Sequence, residues 1–346
     1  MHGGRRAGML VVLVMVGCAG VGLGVEAGKG EGKKAGQTFA AAYKEVNAKA
    51  VAEVLAGKRT TASAAWWGFD EANATAALQG AIRSGAKRVI VPNMGKPWMV
   101  DPLLLESDQE IVFETGTVVE ARKGSFRGVD DSLLTAKDKK NIKLTGYGAA
   151  LVMHKEDYRK EEYKKGEWRM CLALNGCRQV EVSGLRLAGS GGDGIYVGRG
   201  TGGCEEIHIK DVTCEDNYRQ GISIISVRRL VIEDCILRGT EGTEPAAGID
   251  FEPNHEDEEL TDCVVRNCTF EKNQGYGIQV WLGNMHAKSK PVSVRIENCV
   301  VRDNNRGALM VGGGEVGGRI ELAGNKLTGG RQLGNKSANL TVDIKD

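Results

Sequence analysis

Between residues 193 and 281, acids, one arginine, amides and aromatics recur where a strand would point them outward: Asp193, Arg219, Gln220, Asp250, Glu252 and Gln279, with Tyr196, Tyr276 and Trp281 among them. Asp250 and Glu252 are two residues apart, so in a strand they share one face at about 6.6–7 Å. That is the low end of the separation at which an acid and a base flank a water in inverting glycoside hydrolysis. A guanidinium such as Arg219 can instead neutralise a sugar carboxylate, as β-elimination from a uronic acid requires. Asp250, Glu252, Asp193 and Arg219 are therefore the candidate catalytic groups. The carboxylates of Asp193, Asp250 and Glu252 leave a second use open, a Ca²⁺ site of oxygen ligands. Tyr196, Tyr276 and Trp281 offer flat apolar platforms for sugar rings, and Gln220 and Gln279 offer amides. His255 sits in the loop after Glu252, where a near-neutral pKa suits proton transfer; a lone loop histidine is as readily a solvated residue. The competing reading of the stripe is an ion-pair ladder that only holds the fold together.

The elements that must position these groups form a repeat. Five glycine-led strands start at Gly194, Gly221, Gly248, Gly277 and Gly307, spaced 27, 27, 29 and 30 residues apart. Second strands with period-2 alternation fall between them, such as Glu206-Ile-His-Ile-Lys and Val292-Ser-Val-Arg-Ile-Glu. Asn217, Asn273, Asn298, Asn304 and Asn325 follow in turns, where asparagine tolerates the left-handed conformation. A period near 25–30 built only of short strands and tight corners predicts a parallel β-helix, an all-β solenoid. Leucine-rich repeats lack their Leu-x-x-Leu-x-Leu frame here, and propeller blades need about 40 residues each. Aligning the glycines puts Ile195, Ile222, Ile249, Ile278 and Ala308 inward. It puts Tyr196, Ser223, Asp250, Gln279 and Leu309 outward.

A stack of coils needs a cover on its open end. Residues 73–84 supply an amphipathic helix with Asn73 or Thr75 as its cap and Gly85 as its stop. Residues 38–56 read as another helix, and the charged run 154–168 as a solvated surface loop. The first 27 residues, with Arg5, Arg6, the apolar run Met9–Val16 and Val25-Glu26-Ala27, read as a secretory signal peptide. The stretch Met15-Val16-Gly17-Cys18 also resembles a lipobox, which would anchor the chain through Cys18. Export is expected on either reading, to the periplasm, the outer surface or the medium, with no transmembrane span. The division is then 1–27 signal peptide, 28–66 linker and helical segment, 67–335 β-helix and 336–346 tail.

Forty-nine glycines in 346 residues are roughly twice the usual share, but without a G-X-Y period. A net charge of +1 argues against a nucleic-acid binder. Of eight cysteines beyond Cys18, Cys214, Cys235, Cys268 and Cys299 end similar strands and should stack as small buried hydrophobes. A Cys171–Cys177 disulfide is the one pairing left open, and no zinc spacing occurs.

The phrases ATAALQGAI, Val89-Ile-Val-Pro and KPWMV, followed by SGGDGIYVG (190–198), NYRQGISIIS (217–226) and AAGIDFEPN (246–254), resemble the pectate-lyase-like right-handed parallel β-helix superfamily over about residues 68–330. The likeness is to a bacterial, uncharacterised branch. It implies the fold directly and, because many members are polysaccharide lyases, glycoside hydrolases, epimerases or phage tailspikes, a glycan partner. The polygalacturonase Asn-Thr-Asp element is similar to Gly191-Gly192-Asp193, but its Asp-Asp, Gly-His-Gly and Arg-Ile-Lys elements are missing. The alginate epimerase Asp-Pro-His-Glu is matched only in part by Asp250-Phe-Glu-Pro-Asn-His255-Glu256. The expected function is thus an exported enzyme cleaving a polysaccharide, by lyase or hydrolase chemistry, in a groove on the outer face. The alternative is a non-catalytic glycan-binding or structural surface protein.

Overall fold

The computed structural model describes residues 46–334 and 337–345. The expected signal peptide with Cys18, the 28–37 stretch and the first part of the helix expected over 38–56 lie outside the described residues.

Two sheets wind round one core: an eighteen-stranded sheet and a nine-stranded sheet, every strand paired in parallel with the next coil. Parallel pairing follows from the repeat, because each coil returns the chain to its starting direction one strand spacing further on. Alternation then sends every second side chain inward. Ile195, Ile222, Ile249, Ile278 and Leu309 stack in register, as do Val197, Ile224, Phe251, Val280 and Val311, all fully buried. The inward residue of the fifth coil is therefore Leu309, not Ala308, and Met310 rather than Leu309 continues the outward column of Gln279. The cause is that Gly307 pairs with Tyr276, one position before the glycine of its neighbour. Gly307 has a φ of 130°, and a Cβ there would lie 2.4 Å from the Gly330 carbonyl. The four earlier glycines serve close approach without a positive φ. A Cβ on Gly221 would meet the Gly248 carbonyl at 2.4 Å, and one on Gly248 the Gly277 carbonyl at 2.6 Å.

Asparagines do two different jobs at the corners. Only Asn298 of the five singled out above is left-handed; that conformation otherwise falls to residues such as Gln179, Glu206, Arg229 and Asp262 in successive coils. Asn217, Asn273, Asn304 and Asn325 are buried and bond the backbone of adjacent coils, with Asn273 Nδ2 donating to Asn304 Oδ1 at 2.9 Å. All eight described cysteines are free and buried, so Cys171 and Cys177 are unbridged. Cys235, Cys268 and Cys299 precede paired strands and stack, whereas Cys214 pairs with Leu237 and so belongs to another ladder.

The N-terminal end is closed by two helices. Asn47 accepts a hydrogen bond from Ala50 N and starts Ala48–Leu55; Asn73 accepts from Thr75 N before Thr75–Ile82. Ala77, Leu78, Ala81 and Ile82 turn into the core, and Gly85 ends the helix with a φ of 80°. Two expected boundaries move. Thr61–Ser63, assigned to the linker, is the first strand and pairs with Arg88–Val91. Leu340–Lys345, assigned to the tail, pairs with Gly318–Ala323 as a further coil. The first of these strands is too short to display alternation. No helix among the described residues is long and apolar enough to cross a membrane.

Candidate functional site

The site lies on the outer face of the nine-stranded sheet, where Asp193–Gly198, Gln220–Ile224, Ile249–Phe251 and Tyr276–Trp281 run side by side. Strand register carries the chemistry: Asp193 is opposite Gln220, Ser223 is opposite Asp250, and Asp250 is opposite Gln279. Arg219, one residue before its strand, gathers the acids. Its Nη2 donates to Glu252 Oε2 at 2.7 Å, Nη1 lies 3.9 Å from Asp193 Oδ2, and Nε lies 3.6 Å from Glu167 Oε1. Gln220 Nε2 donates to Asp250 Oδ2 at 2.9 Å while its Oε1 accepts from Ala247 N.

Burial sets the charge states. Asp193 and Asp250 are both wholly inaccessible. Burial pushes the Asp193 carboxyl up to about 7, against the pull of Arg219. Burial, followed by the negative charge of Glu252, holds Asp250 well above the carboxylate range, again against Arg219. Burial disfavours the Arg219 charge, but Asp193, Glu252 and Asp250 outweigh it and hold the guanidinium above its ordinary pKa. Both Asp193 oxygens, Asp250 Oδ1 and the Ser223 hydroxyl have no hydrogen-bond partner among the described residues.

These acids differ from those on the eighteen-stranded sheet. There Glu233 is bonded by His208 at 2.9 Å and by Arg266 at 2.5 and 2.8 Å, and Glu215 by Arg186 and Arg238 at 2.5–2.8 Å. Those are ion-pair ladders with saturated acceptors. The Asp193–Arg219–Asp250 group is not built that way.

The remaining expected residues fall into two neighbourhoods. Tyr196, its hydroxyl pushed up to about 12 by burial, lines a hollow of about 460 Å³ with Ser132, Lys137, Trp168 and Asn175. Tyr276, Gln279 and Trp281 line a second hollow, of about 370 Å³, with Arg306, Met310 and Gln332. The acid cluster separates them, so the aromatics are not one continuous platform. His255 stands apart: it is exposed in a turn where its backbone N–H donates to Glu258. The Ca²⁺ alternative finds no support, since Arg219 is itself the cation among those carboxylates and no group of three ligating side chains among the described residues could hold a metal.

The charged run 154–168 is a surface loop, as expected, but two of its side chains anchor it. Tyr158 and Tyr163 are buried edge to face at 5.3 Å, and the next residue, Arg169, is fully buried, donating to the carbonyls of Phe126, Gly166 and Lys164. The loop folds back beside the sheet and brings Glu167 to Arg219, a contact the repeat could not reveal because the run belongs to no coil. Its signal was present: Tyr158, Tyr163 and Trp168 fall every fifth residue in an otherwise charged stretch.

The family described as right handed beta helix region matches residues 168–343, just over half of the sequence. The chain belongs to the right-handed β-helix family. Within curated proteins, this β-helix protein is 30% identical over 136 residues to the uncharacterized protein YclG of Bacillus subtilis (strain 168), covering 33% of this chain and 23% of that one. It thus spans about a quarter of that relative's length. Among solved structures it is similar to PfbA, a surface adhesin of Streptococcus pneumoniae, with 12% identity, 82% of this chain and 79% of that chain covered, and a TM-score of 0.57. It is also similar to the Yersinia enterocolitica Family 28 exopolygalacturonase, with 12% identity, coverage of 83% and 65%, and a TM-score of 0.50. At these identities the likeness is one of fold.

Proposed function

We propose that this β-helix protein is an exported enzyme that cleaves a polysaccharide by acid–base hydrolysis on the outer face of its nine-stranded sheet. One observation carries the reading: Arg219 gathers two solvent-reachable carboxylates, Glu252 and Glu167, above two buried acids that lack saturating partners. Touching one guanidinium from its Nη2 and Nε sides holds Glu252 and Glu167 roughly 9 Å or less apart, which leaves room for a water between acid and base. Asp250, buried beneath and held well above the carboxylate range, is the proton source from which Glu252, the acid that reaches solvent, would protonate a leaving glycosidic oxygen. Glu167 then activates the water from the far side. Asp250 and Asp193 are positioning residues, because neither reaches the surface. Elimination is the lesser reading: the Arg219 charge it would require is already compensated by carboxylates.

Hydrolysis is tested by Glu252→Gln and Glu167→Gln, each expected to lower turnover on polysaccharides by about 10²–10⁴-fold with the melting temperature nearly unchanged. Full activity in both variants would remove these residues from the chemistry. Reducing ends without ultraviolet-absorbing unsaturated product mark hydrolysis, and the unsaturated product marks elimination. Saturable oligosaccharide binding with no product from either assay would favour a glycan-binding surface protein instead.

A further inference from the structure

The loop 154–168 borders a cavity of about 470 Å³ of whose lining the reaction above uses Glu167 alone. That volume lies within the range of small-ligand sites. Its walls are Arg159, Lys165, Trp168, Tyr218, Lys155 and Glu167, with Gly191 and Thr243 beside them. The guanidinium of Arg159 stands 5.9 Å over the Tyr218 ring, and among the described residues its only acidic contact is the exposed Glu156 at 3.2 Å. Lys165 is exposed and has no ion-pair partner among the described residues. Lys155 is held by Asp216 at 2.5 Å, and the one acid of the lining, Glu167, contacts Arg219. The side chains left to face the cavity are therefore two cations and three aromatic rings, Tyr158, Tyr218 and Trp168, the last 47% exposed.

The frame round it is fixed before any ligand arrives. The buried Arg169 fork ties the loop to three carbonyls, and Tyr158 and Tyr163 pack beneath it. A prefolded pocket orders little on binding, which favours affinity. Trp168 also lines the hollow that holds Tyr196, so two depressions meet at that ring, and Glu167 stands next to it in the chain.

We infer that this cavity is a subsite for a sugar bearing an anionic substituent, a carboxylate or a sulfate ester, with the ring against Trp168 and Tyr218 and the anion between Arg159 and Lys165. The inference rests on the glycan-cleaving reading and specifies its substrate class. Guanidinium and ammonium groups recognise either anion through charge-assisted hydrogen bonds.

The full chain carrying Glu252→Gln is titrated calorimetrically with a uronate oligosaccharide, its carboxyl-reduced counterpart and a sulfated neutral oligosaccharide. The uronate or the sulfated probe, whichever carries the matching anion, should bind at least about tenfold more tightly than the reduced one, and binding should weaken with salt. Arg159→Ala with Lys165→Ala should abolish that preference, and Trp168→Ala should weaken all three probes, with the thermal transition of each variant preserved. Equal binding of charged and uncharged probes, or an unchanged preference in the double variant, would overturn the subsite while leaving hydrolysis intact. Failure of every probe to bind, together with absence of turnover in the unsubstituted protein, would overturn the glycan reading itself.

Discussion

At the scale of single residues, the sharpest feature is a carboxyl group kept in a place that disfavours its charge. Asp193 has a folded pKa of about 7 against an ordinary value of 3.8. A raised folded pKa means that the native state binds more protons than the unfolded chain between those two values. Its contribution is fully present below the unfolded pKa and is lost as pH rises from near 4 through 7. Asp193→Asn removes this linkage. Melting temperatures across pH 4–8 should therefore show the variant gaining on the unsubstituted protein as pH rises, by up to a few kcal/mol; a pH-independent difference would contradict the assignment. Sequence alternation was enough to place Asp193, Arg219, Asp250 and Glu252 in one neighbourhood. It could not reveal that two of the acids would be sealed from solvent, because that depends on what lies across neighbouring coils. It also could not find Glu167, which is adjacent in space but not in the repeat.

At the scale of elements, the glycine-led strands show how little room separates successive coils. Gly221→Ala would put a methyl 2.4 Å from the Gly248 carbonyl, and backbone cannot move aside without disturbing the ladder. Denaturant unfolding should report a loss of about 1–3 kcal/mol. Gly202→Ala, whose added carbon would meet nothing within 4 Å, should stay within about 0.5 kcal/mol. The strands themselves were legible because inward and outward residues alternate through Ile195–Val197 and Ile249–Phe251. The fifth coil was misaligned by one residue because Gly307 looks like its predecessors in sequence yet meets a positive φ as well as a close approach. Identical letters arose from different physical demands.

At the scale of the whole molecule, each coil touches chiefly its neighbours, so stability is close to a sum of nearest-neighbour terms. The helix Thr75–Ile82 seals one end with Leu78, which is 1% exposed. Leu78→Asp should cost about 3–5 kcal/mol by uncovering that end. Hydrogen exchange should accelerate first in Thr61–Val100 and leave Asp193–Gly312 protected; uniform loss of protection would contradict this linear coupling.

The in-register stacking has one more consequence. Every coil contributes one position to each outward column, so the working face is a row of independently replaceable characters printed on a uniform backing. A whole coil inserted beyond Trp281 would lengthen the row without altering a single inward contact type. The protein can thus lengthen its outer face by copying a unit, while its acid centre near Arg219 stays where it is.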